Sequence, residues 1–536
     1  MGECNNPVIF VTGIGQTWAS LKGSDDYCWN LIPRKKEIAF KDFNLKMYFR
    51  LTGTLLRGLL TLVSSADFIK TKTVRDLFSA LLSCCVVDES DSLPENVSLK
   101  IYGSRSFDKL RHINLLTGEY CDEYEKSMLC RIYRDIPCKS ISEKIGEENL
   151  YCFNYSPFSD IYADADALHE TIKDVLEDQK NKTGSKKVVL VPMSMGASVV
   201  NAYIDKYYSD ETGALDGDYI SKIVSIVGAW NGSDGLSDLI TFNTGENFAQ
   251  QIKGFFGEKY SSVLSRVKEK QIEKVFGSLI DGVVHSVILR NTSFMALVPK
   301  ERYNEVVEKL FNNTNNKKLL DVKEKSAVYY RAQCNLVNRL LTLRDKCSVG
   351  VYFICGYNKH FGQNSRDFDF LSLFKSAKSI NSDSVIQISS TAPGARSVPL
   401  GEAFEKEGRY ISPDRSVDIS QSPFRDTIWL FDGQYHEIGS NNTAIKLAGD
   451  IVTGEVESID DKYPQFNRAR DVSEADELLK KAKRICESRK VAAAKKEAVR
   501  IAARDVERML DSVINNPEKD SAVLQALKDE ISTVLI

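Results

Sequence analysis

Lys187-Val188-Val189-Leu190-Val191-Pro192-Met193-Ser194-Met195-Gly196-Ala197-Ser198 changes character twice within twelve residues. The run to Val191 is short, apolar and β-branched, as suits a strand buried on both faces. Beyond Ser194, the residues Val199, Val200, Tyr203, Ile204 and Tyr207 recur at helical spacing. The turn between them lifts one serine hydroxyl clear of the sheet. Gly196 follows two residues later, where a side chain would meet the neighbouring strand. This is the pattern of a nucleophile elbow. Pro192 stands where a small residue is common, and its fixed negative φ is compatible with the position. A plain strand-to-helix turn capped by serine is the alternative.

Working outward, further strand-length runs appear at Val8 to Val11, Leu150 to Phe153, Ile223 to Val227, Val349 to Cys355, Val385 to Ile388 and Thr427 to Phe431. Helical patterns lie between them, most clearly at Ala163 to Asp178 and Ser198 to Tyr208. Alternating strands and helices predict an α/β chain with a doubly wound, mostly parallel sheet. Two stretches break the rhythm, at about 18–148 and 232–346, and read as helical cap insertions. The expected organisation is one domain over 1–466 carrying these caps, then a helical appendage over 467–536 rich in Ala, Lys, Arg and Glu. The charge-rich pattern of the appendage reads as a solvated helix face with an ordinary core stripe, and a surface for a protein partner is the alternative. Met47 to Ser64 reads as a helix with a wide apolar arc, either buried in a cap or serving as an interfacial lid with peripheral membrane contact.

Composition narrows the function. The 536 residues are 43% hydrophobic and 27% charged, enough to bury a large core. A net charge of −3 and a pI near 6.1 supply no basic field for phosphate backbones, so nucleic acid is not an expected partner. The segment Met1 to Pro7 runs at once into the first strand without a basic n-region, and a cytoplasmic location is expected. Gly2 resembles a myristoylation site, but Asn6 occupies the position of the required Ser or Thr. Twelve cysteines at irregular spacing read as reduced thiols and not as a metal site. No apolar run approaches the roughly 18 to 20 residues of a membrane span.

A serine nucleophile needs a base, normally a histidine oriented by a carboxylate. Five histidines are present. In the chain order serine, acid, histidine, His112 and His169 come too early, His285 falls in the helical insertion, and His360 follows an earlier strand than His436. His436, just after the last strand, is the expected base. Asp383 in Asn381-Ser382-Asp383-Ser384 is the expected acid, with Asp367 and Asp369 as competitors. The oxyanion donors are expected at the N–H of Met195, after the nucleophile, and the N–H of Ile14 in Thr12-Gly13-Ile14-Gly15. That Gly-x-Gly also opens a nucleotide fingerprint, but Trp18 breaks the full pattern.

The order of Pro7-Val8-Ile9-Phe10-Val11-Thr12-Gly13-Ile14-Gly15, Trp29, Phe153-Asn154-Tyr155, Val191 to Gly196, and Ser293-Phe294-Met295-Ala296-Leu297-Val298-Pro299 resembles the lecithin-cholesterol acyltransferase-like branch of the α/β-hydrolases, over about Pro7 to Gly449. The resemblance implies a triad of Ser194, Asp383 and His436, with Ile14 and Met195 at the oxyanion hole. It implies carboxylic esters of lipid-like substrates, cleaved by hydrolysis or used for acyl transfer, and no cofactor. Four places depart from the family pattern: Thr12 for His or Pro, Met193 for His, Ser384 for Gly, and Ser156-Pro157-Phe158 for Asp-Trp-Arg. They leave the triad chemically complete. They also motivate a competing reading, a binding protein that keeps the fold without catalysis.

Overall fold

Seven short strands form one parallel sheet in the computed structural model: β1 (Val8–Val11), β2 (Leu150–Phe153), β3 (Val188–Pro192), β4 (Ile220–Ile226), β5 (Gly350–Tyr357), β6 (Ile428–Asp432) and β7 (Phe466–Arg468). The structure describes residues 6–17, 19–21, 27–29, 97–99, 105–115, 118–208, 219–245, 248–252, 268–286, 288–312, 314–361, 374–375 and 379–468. Spatial order is β7-β6-β5-β4-β3-β1-β2, so the connections reverse direction around β1 and β3. Each neighbouring pair runs parallel. Ligand sites in such sheets open at the carboxyl ends of the strands beside the reversal, which is where β3 delivers Ser194.

Side-chain alternation explains why the sheet is covered on both sides. Ile9 and Val11 of β1, and Val188 and Leu190 of β3, enter one core. Val8, Phe10, Val189 and Val191 enter the other. The helices Ile161–Lys180 and Gly196–Tyr207 and the second half of Lys317–Cys347 cover the first face, through residues such as Leu168, Ile172, Val200, Ile204, Leu336 and Leu340. Met128–Asp135, Lys139–Ile145 and Asn442–Thr453 cover the second, through Leu129, Ile132, Ile141, Leu447 and Ile451. Each fully buried aliphatic side chain contributes about 1.5–3 kcal/mol.

Six of the seven expected strand runs are present within a few residues of their predicted ends. The run at Val385 to Ile388 is not a strand. Asp383 Oδ1 accepts the N–H groups of Val385 at 3.0 Å and Ile386 at 2.8 Å, using donors that a sheet ladder requires. Ser384 adopts a φ of 85°, and Ile388 starts the short helix Ile388–Thr391. In place of that run the sheet gains β7, only three residues long, as its edge.

Within 18–148, Ala19–Leu21, Tyr27–Trp29 and Val97–Leu99 make a small antiparallel sheet. Phe107 to Ile141 of the same stretch packs on the second face of the main sheet. Within 232–346, Asp234–Thr241, Glu269–Ser286, Thr292–Met295 and Tyr303–Phe311 share a separate core of Ile240, Ile280, Val284, Met295, Val306 and Phe311. The helical pattern at Met47 to Ser64 and the appendage beyond residue 468 lie outside the described residues. Among the described residues no helix is long and apolar enough to cross a membrane.

Candidate active site

The serine turn is held from both sides. Met193 N–H donates to Val11 O at 3.0 Å and Ser194 N–H to Ile226 O at 3.4 Å, while Ser194 O accepts Ala229 N–H at 2.8 Å. Ser194 has a φ of 51°, a conformation few residues other than glycine adopt. The turn is therefore strained, and the surrounding hydrogen bonds hold it. A Cβ on Gly196 would lie 2.9 Å from Thr12 O and closer still to Val11 O, so only glycine lets the helix start against β1. A Cβ on Gly13 would lie 2.8 Å from the Cβ of Ser194, so the loop after β1 touches Ser194.

His436 arrives on the loop after β6, which turns at Gly433 with a φ of 73°. Its Nε2 lies 2.9 Å from Ser194 Oγ and its Nδ1 2.8 Å from Asp383 Oδ2. Its backbone N–H donates to Asp383 O at 2.6 Å, which fixes the loop to the carboxylate it faces. With Asp383 ionised, the assigned tautomer carries the proton on Nδ1 and turns the Nε2 lone pair to the serine. Asp383 is fully buried. Burial disfavours the imidazolium, but the charge and hydrogen bond of Asp383, helped by Glu437, outweigh it and raise the His436 pKa above its ordinary value.

The other histidines stand elsewhere. His112 stacks on Tyr120, buried His169 stacks on Tyr207 with ring centroids 4.0 Å apart, His285 faces Asp281, and His360 is exposed. Asp367 and Asp369 lie outside the described residues. The structure thus brings Ser194, His436 and Asp383 together from three separate loops.

Met195 precedes the helix Gly196–Tyr207, and Ile14 follows Gly13 in the turn Ile14–Gln16. Among the described residues no hydrogen bond uses either N–H. Gln16 was missed in the sequence. Its Oε1 accepts Gly13 N–H at 2.8 Å and its Nε2 donates to Asp135 O at 2.9 Å. Nothing local signalled it, since Asp135 is 119 residues away. Thr12, where the family pattern has His or Pro, is buried and donates its hydroxyl to Phe153 O at 3.2 Å, tying β1 to β2.

The Ser293 to Pro299 stretch is clamped over the carboxyl ends of the strands. Ser293 donates through its N–H at 3.1 Å and its Oγ at 2.7 Å to Ser159 O, and Thr292 Oγ1 donates to Asp160 Oδ2 at 2.9 Å. Leu297 O accepts Ser233 N–H at 2.8 Å, and Gln333 Nε2 spans Ala296 O and Val298 O at 3.1 Å each. Phe158, in the Ser156-Pro157-Phe158 departure, stacks on Phe294 at 5.4 Å. Ser159 Oγ lies 2.9 Å from each carboxylate oxygen of buried Asp164. Burial raises the Asp164 pKa well above the carboxylate range, against the pull of the Ser159 bond and with help from Asp160. Among the described residues no three His, Cys, Asp or Glu side chains gather as a metal site would require.

A parallel sheet wound in both directions, a strained serine between a strand and a helix, and helices on both faces make this chain an α/β-hydrolase in fold. No protein-family model matches the sequence. No curated protein matches it either. Among solved structures it is similar to one described as the crystal structure of the Tle4–Tli4 complex, at 9% identity and a TM-score of 0.34, covering 84% of this chain and 99% of that one. It is also similar to phospholipase PlaB from Legionella pneumophila, at 13% identity and a TM-score of 0.29, covering 60% of this chain and 54% of that one.

Proposed function

We propose that this chain is a serine hydrolase that cleaves carboxylic esters of lipid-like substrates through an acyl-enzyme intermediate. The observation that supports the reading is the hydrogen-bonded series of Ser194, His436 and Asp383, with 2.9 and 2.8 Å steps, at a serine of φ 51°. Ser194 Oγ attacks the ester carbonyl as His436 Nε2 takes its proton. Asp383 holds the imidazole and stabilises its charge. The N–H groups of Ile14 and Met195 receive the developing oxyanion. His436 returns the proton to the departing alcohol, and water then releases the acid by the same steps. An alcohol in place of water gives acyl transfer from the same residues.

The lipid-like substrate is supported by the sequence resemblance to the lecithin-cholesterol acyltransferase-like branch. A fluorophosphonate probe tests the nucleophile: the chain is labelled, and Ser194→Ala abolishes labelling without changing the melting temperature by more than a few degrees. Labelling that persists in the mutant assigns the reaction to another residue. A wild-type chain that resists the probe favours the binding-protein reading. Turnover of phospholipid vesicles, emulsified triacylglycerol and a soluble short-chain ester then ranks substrate classes.

A further inference from the structure

We infer that Gln16 is a positioning residue for the oxyanion hole, its single amide fixing the loop that carries the Ile14 N–H against the nucleophile turn. The inference rests on the serine-hydrolase reading. The loop from Gly13 to Gln16 closes twice: Gln16 N–H donates to Gly13 O at 2.9 Å, and Gln16 Oε1 accepts Gly13 N–H at 2.8 Å. The second bond commits the Gly13 N–H, so the next donor along the loop, on Ile14, is the one left for a substrate oxygen. The other end of the amide reaches out of the loop. Nε2 donates to Asp135 O at 2.9 Å and lies 3.9 Å from the Sδ of Met193, the residue before the nucleophile.

The anchor at Asp135 is itself fixed. It ends the helix Met128–Asp135, and its carboxylate lies 2.6 Å from Arg131 Nε, the arginine buried and the aspartate only partly exposed. Gly13 contacts Ser194 at a separation that leaves no room for a Cβ. A small drift of this loop therefore moves the donor relative to the serine, and oxyanion stabilisation depends on donors held in place before the reaction. Only an amide satisfies both ends. Glutamate accepts from Gly13 but has no donor for Asp135 O, and leucine serves neither.

Gln16→Leu and Gln16→Glu test the role, assayed well below their melting temperatures. On a soluble ester, kcat falls about 10- to 100-fold, below the loss of a whole oxyanion donor, while KM stays within about twofold. The inhibition constant of a trifluoromethyl ketone, whose adduct carries the oxyanion, rises in proportion to the loss of kcat/KM. The acid limb of the pH profile, set by His436, does not move. Unchanged kcat in both variants, a loss confined to KM, or ketone affinity that does not follow kcat/KM overturns the inference while leaving the hydrolase reading intact. A wild-type chain inert to both probe and substrate removes the two together.

Discussion

His436 is subject to opposing forces, since burial favours the neutral ring and the facing carboxylate favours the charged one. The carboxylate prevails, so under the proposed mechanism His436 loses its capacity as a base at a higher pH than an ordinary histidine. The sign follows: catalysis needs neutral imidazole, and kcat/KM declines as pH falls through a value above about 6.5. Asp383→Asn removes the main charge and leaves burial opposed chiefly by Glu437. Its acid limb shifts to lower pH and its turnover drops by about 10⁴. A pH profile of both proteins between pH 5 and 9 checks the two effects, and an unmoved limb in the mutant excludes Asp383 as the orienting acid. His436 was legible in the sequence because only five histidines exist and one follows the last apolar strand-length run, Thr427 to Phe431. Asp383 was less so, because an aspartate in a polar loop has the same local signature whether it shapes a turn or faces an imidazole. Asp383 does both, one oxygen accepting Val385 and Ile386 and the other facing His436.

At the level of elements, the crossing of β1 with the helix after Ser194 is a tight constraint at the site. Gly196→Ala places a methyl against the carbonyls of Val11 and Thr12. It should cost more than the about 1–3 kcal/mol of ordinary overpacking, because backbone and not a mobile side chain must yield. Thermal melting or soluble yield measures this, and wild-type stability in the mutant contradicts the close packing. The clamp between Ser159 and Thr292-Ser293 carries a different prediction. Asp164 keeps its proton in the folded state at pH values where the unfolded chain has released it, so unfolding releases a proton and stability falls as pH rises above about 4 toward the raised folded pKa. Asp164→Asn preserves the shape without the titration. Its melting temperature gains on wild type as pH increases, and the difference shrinks in acid; a constant difference across pH rejects the buried protonated carboxyl.

Across the whole molecule, the sheet is stabilised by two cores drawn from distant parts of the chain. Phe107 is fully buried on the second face, with its ring 6.1 Å from that of Phe10 in β1. Phe107→Ala is expected to cost about 3–5 kcal/mol. If its segment folds with the sheet, esterase activity and secondary structure are lost together at one lowered melting temperature. A separate early transition that spares activity shows an independent unit.

Local chemistry made the serine turn and the strand runs readable, because each depends on residues a few positions apart: a β-branched run, a glycine two residues after a serine, a helical stripe. The layer assignment of Phe107 to Ile141, the turn that replaced a strand at Val385 and the amide of Gln16 were decided by tertiary structure. Ser194 meets His436 242 residues away, and His436 meets Asp383 53 residues before it. A backbone carbonyl such as Asp135 O is present at every position and carries no sequence signal. Only the folding of a helix beneath β1 makes it the partner of Gln16.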